Sequence, residues 1–349
     1  MLDQALLQRA PKVLLHDHLD GGLRPATVVE LAKEVGHQLP TTDVDDLAAW
    51  FLQGGEGSDL VTYLAAFEHT VGVMQTPDAI ERVAFECVED LAADGVVHAE
   101  IRHAPELSTA RGLTCEEVLA AIDTGVRAAM RGREITVRLL TCAIRNEDRS
   151  DEAFEAAIRS RDAGSLVVGV DLAGAEAGHP AADHADALRR AADAGLHVTL
   201  HGGEAAGPEY VADALDHGAE RLGHGVRVVE DIAADGRLGP TAQRVHAGEV
   251  PLEVCPTSNV HTGVAPTVAE HPFGRLRELG FRVTVNTDNR LMSGVTPTSE
   301  LAAVAEAFDL VLDDLEDLQL TAAGAAFLGP DERVELAARV QRGFAALRP

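Results

Sequence analysis

Short β-branched and aliphatic runs recur along the chain, each followed by an Ala/Leu-rich stretch of helical period. This alternation constrains the fold more than any other feature. Eight such runs stand out: Val13–Leu15, Val96–Ile101, Ile135–Cys142, Leu166–Leu172, His197–Leu200, Leu222–His224, Val250–Cys255 and Arg282–Asn286. Helical segments separate them, among them Thr114–Arg131, Asp151–Ala163, Ala181–Ala194 and Val268–Leu279. Gly164, Gly195 and Gly280 follow such segments and suit left-handed C-terminal caps. Strand–helix alternation implies parallel strands with right-handed crossovers, and eight repeats predict an α/β fold of the (β/α)8 TIM barrel type. Residues 22–94 break the rhythm as a long helical insertion after the first strand. Its helices are expected over Thr27–Val35, Asp59–Val71 and Asp78–Ala93, with a surface loop at Gln53–Gly57. From Ser299 onward, two or three extra C-terminal helices close the barrel. No Pro/Ser-rich linker interrupts the sequence, so residues 1–349 read as one domain with 22–94 as a lid.

Charge excludes several partners. Asp and Glu number 57 against 29 Lys and Arg, a net charge of −28. Such a field opposes nucleic acids and anionic membranes, which select clustered Lys and Arg. Aromatic residues make up only 3% of the chain, too few for a base-stacking platform. No apolar run is long enough for a transmembrane helix, and the first residues, MLDQALLQRAPK, carry no secretory pattern. Cys87, Cys115, Cys142 and Cys255 are scattered, with no CxxC spacing, so a cytoplasmic protein without disulfides is expected. A small neutral substrate remains compatible with all of this. The residues do not set an oligomeric state.

The chemistry-bearing residues sit where the strands end. His16 and His18 end the first strand, and residues i and i+2 on a strand share a face. His201 ends the fifth, His224 the sixth and Asp288 the eighth, with Glu204 three residues after His201. In a barrel these ends converge on one mouth, where barrel active sites lie. Neutral imidazoles and a carboxylate suit Zn²⁺, and a catalytic zinc keeps room for water. Any one of these histidines alone would read as a hydrogen-bonded core residue.

The motifs HDHLDGG, DLAGAE, LHGGE, GHGV, CPTSN and VNTDN stand in the order and approximate spacing of the adenosine deaminase family, metal-dependent purine deaminases that this chain resembles over nearly its whole length. The EIRHAP and TAAGAAFL segments extend the likeness. The resemblance implies that His16, His18, His201 and Asp288 bind one Zn²⁺ per chain. It implies that Glu204 protonates N1 of the purine, and that His224, with Asp288, keeps the attacking water aimed and accepts or orients its proton. Asp20 would contact the sugar and Gly174 the base, with His18 and Asn289 also binding substrate. The reaction implied is hydrolytic deamination of adenosine, with 2′-deoxyadenosine, to inosine and ammonia. A 5′-modified adenosine such as aminodeoxyfutalosine, or free adenine, is the alternative substrate.

Three positions depart from the family pattern. NTDNR stands at Asn286–Arg290 where the family commonly reads NTDDP. An Asp at 289 must be protonated to donate to purine N7, whereas the amide of Asn289 donates at any pH. Arg290 replaces a proline and reads most simply as a solvated loop cation. His103 stands where the family usually carries an aromatic residue, and a structural or pocket-edge role is expected. Asp171 reads equally as a loop-holding carboxylate or as support for a ligand, and Ser258 and Asn259 as support for Asp288 or His224. Two-metal barrel hydrolases place a bridging lysine at the fourth strand, but VVGVDLAG has none, and the two lysines, Lys12 and Lys33, come early. The HxE…PCxxC signature of nucleic-acid deaminases is also missing. An inert binding barrel would have no need of a perturbed acid beside a metal.

Overall fold

The computed structural model describes residues 2–55 and 66–348. Eight strands, β1 (Lys12–His18), β2 (Val96–His103), β3 (Thr136–Ile144), β4 (Val167–Ala173), β5 (His197–Gly202), β6 (Arg221–His224), β7 (Leu252–Val254) and β8 (Val283–Val285), follow one another in sequence order. Every neighbouring pair is parallel. The barrel is joined between β8 and β1 by a parallel bridge, Asp17 to Asp288. There the His18 amide donates to the Asp288 carbonyl (2.8 Å) and the Asp288 amide to the His16 carbonyl (3.0 Å). The Asn286 side chain accepts from the Leu15 amide at 2.8 Å, taking the place of a main-chain partner. Closure therefore runs through the residues of HDH and NTD themselves.

The helices behave as their sequences dictate. Thr114 caps Cys115–Met130 in a reciprocal box with Glu117, and Thr76 caps Pro77–Ala93 with proline at the first turn. Gly164, Gly195 and Gly280 take φ of +88°, +87° and +82°, as the C-cap reading requires. At the β4–β5 seam, a Cβ on Gly169 would lie 2.8 Å from the His197 carbonyl, so only glycine lets these strands approach.

Three boundaries differ from expectation. The insertion contains a helix at Val44–Gly55 that absorbs Gln53–Gly55 of the expected loop, because Leu47, Phe51 and their neighbours recur at helical spacing. A helix at Phe67–Val73 covers the end of the expected Asp59–Val71 segment, whose first part lies outside the described residues. The expected Val268–Leu279 helix breaks into a 3-10 turn (Val268–Glu270) and a helix (Phe273–Glu278). Pro272 is the cause: it forces His271 into extended backbone, φ −67° and ψ 142°. At the other end of the chain, three helices, Pro297–Ala307, Leu312–Ala325 and Pro330–Ala345, close the barrel. Gln319 accepts from the Val13 amide at 2.7 Å, seating the second of them on β1.

Charge fills the middle of the barrel. Arg102 on β2 bonds Asp171 on β4 and Glu253 on β7, each at 2.7 Å. Arg221 on β6 bonds Glu253 (2.7 Å) and Glu100 on β2 (2.5 Å). The bonds that join strands that are not neighbours, β2 to β4, β6 and β7, place these side chains inside the barrel. Burial alone would raise Glu100, but Arg221 outweighs it and holds the carboxyl at about 2.

Candidate active site

A cavity of about 340 Å³ opens at the C-terminal ends of the strands, within the size range of small-molecule sites. Its polar wall includes His18, Asp20, His201, Glu204, His224, Asp288 and Asn289, and Gly174 borders it. Leu107 and Ile144 line the apolar side together with Phe67 and Val71 of the insertion. His16 lies beneath, fully buried.

Donor atoms of His16, His18, His201 and Asp288 all lie within 4.8 Å of one another. The Nε2 atoms of His18 and His201 are 3.3 Å apart, and Asp288 Oδ1 is 3.4 Å from Nε2 of both His16 and His18. Ligand atoms about 2.1 Å from a tetrahedral zinc are about 3.4 Å from each other, so the set fits an ion of that size. Nε2 of His16 is buried without a hydrogen-bond partner. Carboxylates stand behind two of the rings: His16 Nδ1 is hydrogen-bonded to Glu253 Oε2 at 2.9 Å, and Asp171 Oδ2 lies 2.9 Å from His201 Nδ1. Carboxylates behind imidazoles hold the Nδ1–H tautomer and aim bare Nε2 lone pairs into the cluster. Burial pulls His18 down to about 3, so it is neutral, whereas at His16 burial and Arg102 are outweighed by the contacts with Asp288 and Glu253, which raise the pKa.

Glu204 and His224 share Asp288 with this group, and the donor atoms of these three again lie within 4.8 Å of one another. The Glu204 loop is shaped by Glu176, whose carboxylate accepts from the amides of Gly203, Glu204, Ala205 and Ala206. Thr262 donates to Glu204 Oε1 at 3.0 Å, and Oε2 faces His224 Nε2 at 3.6 Å. Burial, then the charges of Asp288 and Glu176, push the Glu204 carboxyl well above the usual range. Burial and the neighbouring His16 hold His224 well below the usual imidazole value. Both His224 (φ 59°) and Asp288 (φ 58°) take left-handed backbone, a strain of order 1–3 kcal/mol each that the surrounding packing must sustain. Gly223 explains part of GHGV: a Cβ there would sit 3.2 Å from His16 Cε1.

Supporting residues fall as their strand-end positions suggested. Ser258 donates to Asp288 Oδ2 at 2.5 Å, and Asn259 contacts His224 Nδ1 at 3.1 Å. His103 is buried, bonded to Ser108 (3.0 Å), with Nδ1 3.7 Å from Asp20. Asn289 buries Oδ1 near Gly21 without a hydrogen-bond partner, and the residue lines the cavity. Glu253, Glu176, Thr262 and His271 did not stand out in the sequence. Only Glu176 carried a signal there, as the last letter of DLAGAE.

Arg290 is a correction. It is not solvated: its side chain is 9% exposed and Nε bonds the fully buried Asp17 at 2.9 Å. Thr287 also donates to Asp17, at 2.8 Å. Asp17 separates His16 from His18, so the pair clamps the loop after β8 onto the end of β1. Arg290→Met is expected to cost about 3 kcal/mol in urea unfolding, because a buried carboxylate loses its cation. A loss below about 1 kcal/mol, the scale of an exposed pair, would show that the clamp does not hold.

Residues 11–343 match the family model described as adenosine deaminase. The chain is 50% identical to adenosine deaminase 1 of Streptomyces coelicolor, over 98% of this chain and 89% of that protein. It is 51% identical to the adenosine deaminase of Mycolicibacterium vanbaalenii, over 95% and 94%. Among solved structures, an adenine deaminase from Arthrobacter aurescens superposes with a TM-score of 0.85 at 27% identity, covering 95% of this chain and 98% of that one. An amidohydrolase from Burkholderia ambifaria with bound Zn gives 0.86 at 27%, covering 99% and 93%.

Proposed function

We propose, from the premise that this chain belongs to the adenosine deaminase family, that it hydrolyses adenosine, and 2′-deoxyadenosine with it, to inosine or deoxyinosine and ammonia. The observation that carries the reading is the facing of two groups across one cavity: a donor cluster fit for a cation, and a buried carboxyl held in its acid form beside a neutral imidazole.

His16, His18, His201 and Asp288 would hold one divalent ion, read here as Zn²⁺ from the donor set and the Zn-bound relative. Such an ion, when bound, lowers the pKa of a coordinated water from about 16 toward about 7. Glu204 gives its proton to N1 of the purine, which leaves C6 electron-poor. His224 and Asp288 hold the water oxygen on the face of the ring where it adds to C6. One water proton passes to the amino nitrogen and the other restores Glu204; the C6–N bond breaks, ammonia leaves, and water's oxygen stays as the carbonyl of the product. Asn289 donates to N7, Gly174 lets the ring lie against the backbone at φ +94°, and His18 and Asp20 face the sugar. Phe67 and Val71 of the 22–94 insertion cover the apolar side as a lid.

A substrate panel tests this. Adenosine and 2′-deoxyadenosine should release ammonia, and chelation should abolish release. Adenine, AMP and 5′-modified adenosines should be poorer, and 7-deazaadenosine poorer still if N7 takes the Asn289 proton. Faster release from adenine would move the assignment to the alternative that the Arthrobacter aurescens neighbour represents. No helix among the described residues is long and apolar enough to cross a membrane, and a small-molecule purine nucleoside in the cytoplasm is the partner proposed.

A further inference from the structure

We propose that His271 is a positioning residue: acting through Asn259, it fixes which nitrogen of His224 carries the proton, so that His224 offers an N–H donor to the attacking oxygen. The proposal rests on the placing of His224 beside that oxygen and adds what orients it and in which form.

The direction of a hydrogen-bond chain is set by any member that can only donate. Here that member is the Phe273 main-chain amide, 3.0 Å from His271 Nδ1. A backbone N–H has no acceptor capacity, so His271 Nδ1 is a bare lone pair and the ring hydrogen sits on Nε2. Nε2 lies 3.2 Å from the Asn259 side-chain oxygen and donates to it. That contact orients the amide, whose nitrogen lies 3.1 Å from His224 Nδ1 and donates there. Nδ1 of His224 is therefore an acceptor, and the hydrogen of the neutral ring is on Nε2. This is the nitrogen that faces Glu204 across the cavity.

Backbone geometry holds the chain in place. His271 precedes Pro272, which keeps it extended and turns its ring back onto the amide two residues ahead. Asn259 lies on the short helix Pro256–His261 after β7, and His224 is pinned in left-handed backbone. His271, Asn259 and His224 are 3%, 0% and 1% exposed, so water does not compete for these bonds. Burial keeps His271 down at about 4 and hence neutral.

A contrast within the same cluster sharpens the inference. Behind His16 stands a carboxylate, Glu253, which takes the Nδ1 hydrogen and leaves Nε2 bare, as a ligand requires, and behind His201 the Asp171 carboxylate lies 2.9 Å from Nδ1. Behind His224 stands an amide nitrogen, which forces the opposite tautomer. The chain thus distinguishes imidazoles that must present a lone pair from the one that must present a hydrogen.

Ring ¹⁵N NMR of the metal-loaded, substrate-free enzyme labelled at histidine reads the tautomers directly. His224 and His271 are assigned by the signals lost in His224→Gln and His271→Gln. Both rings should be protonated at Nε2 and bare at Nδ1. A proton on Nδ1 of either overturns the proposal. Asn259→Asp is nearly isosteric but accepts from both sides, so it should draw the His224 hydrogen to Nδ1. Its kcat should fall about 100-fold or more, the usual loss for one aligned donor, with KM for adenosine and metal content little changed. His271→Phe should lose about 10-fold in kcat, and His271→Gln, which can still donate to Asn259, should recover most of that. Near-normal kcat in Asn259→Asp would sink the relay, and if that variant does not fold, the wild-type ring spectrum decides alone. Failure of the wild type to deaminate adenosine would instead strike the proposed function, since the spectrum needs no turnover.

Discussion

Glu204→Gln is expected to retain metal content and thermal stability while losing between about 10² and 10⁴ of kcat, the range attributed to one positioned proton donor. The amide has the size of the carboxyl and can still accept from Thr262 at the Oε1 position. It cannot release a proton to N1. The Glu204 loop is held by main-chain bonds to Glu176, not by the Glu204 side chain, so the backbone has no reason to move. The pH profile supplies a second check. The acid works only when protonated, and burial with the charges of Asp288 and Glu176 raises its pKa. Wild-type activity should therefore be full below that raised value and decline as pH climbs through it. Residual activity of the Gln variant should lack this alkaline limb. A variant that keeps more than about a tenth of wild-type kcat would remove Glu204 from the acid role.

The barrel was readable because its evidence is local. Each strand is an apolar run and each helix has its own caps, so eight repeats could be counted without contacts. The residues around the cation cluster were readable for a related reason: a barrel gathers all strand ends at one face, so His16, His18, His201, His224 and Asp288 needed only their positions within motifs. What stayed hidden depends on pairing across the fold. Arg290 looked like a loop cation because its partner, Asp17, lies 273 residues away. Glu176 was visible as a letter, but its bonds to four amides of another loop were not. The Val44–Gly55 helix was obscured by glycines at its end, and the break at Pro272 by the helical pattern on both sides of it.

Glu253 is the least legible residue of all, an acid in the middle of the apolar run LEVC, and replacing it should have the largest structural effect. Its Oε1 accepts from Arg221 (2.7 Å) and Thr199 (3.0 Å), and its Oε2 from Arg102 (2.7 Å) and His16 (2.9 Å). Two of the four partners, Arg102 and Arg221, can only donate, and both oxygens are fully buried. Glu253→Gln must turn an NH₂ toward one of these guanidinium groups, and it leaves both of them short of a counter-charge. Breaking a buried pair of this kind costs about 3–5 kcal/mol, a large fraction of the roughly 5–15 kcal/mol that holds a domain folded. The sign of the pH dependence follows from the carboxyl. Burial would raise its pKa, but Arg102 and Arg221 outweigh burial and hold it well below its ordinary 4.5. The stability it contributes is thus fully present above about 4.5 and is lost only as pH falls toward the depressed folded value. Urea unfolding of the wild type and Glu253→Gln should show their widest gap near neutrality, narrowing below about pH 4. Where the NH₂ takes the Oε2 position, His16 Nδ1 loses its acceptor, and Nε2 is no longer held as a bare lone pair toward the cluster. Metal affinity should drop about 10–100-fold in parallel, as when a partner behind a ligand is removed. Equal unfolding midpoints across the pH range, with unchanged metal affinity, would mean that the charged layer inside the barrel neither supports the fold nor orients the ligand above it.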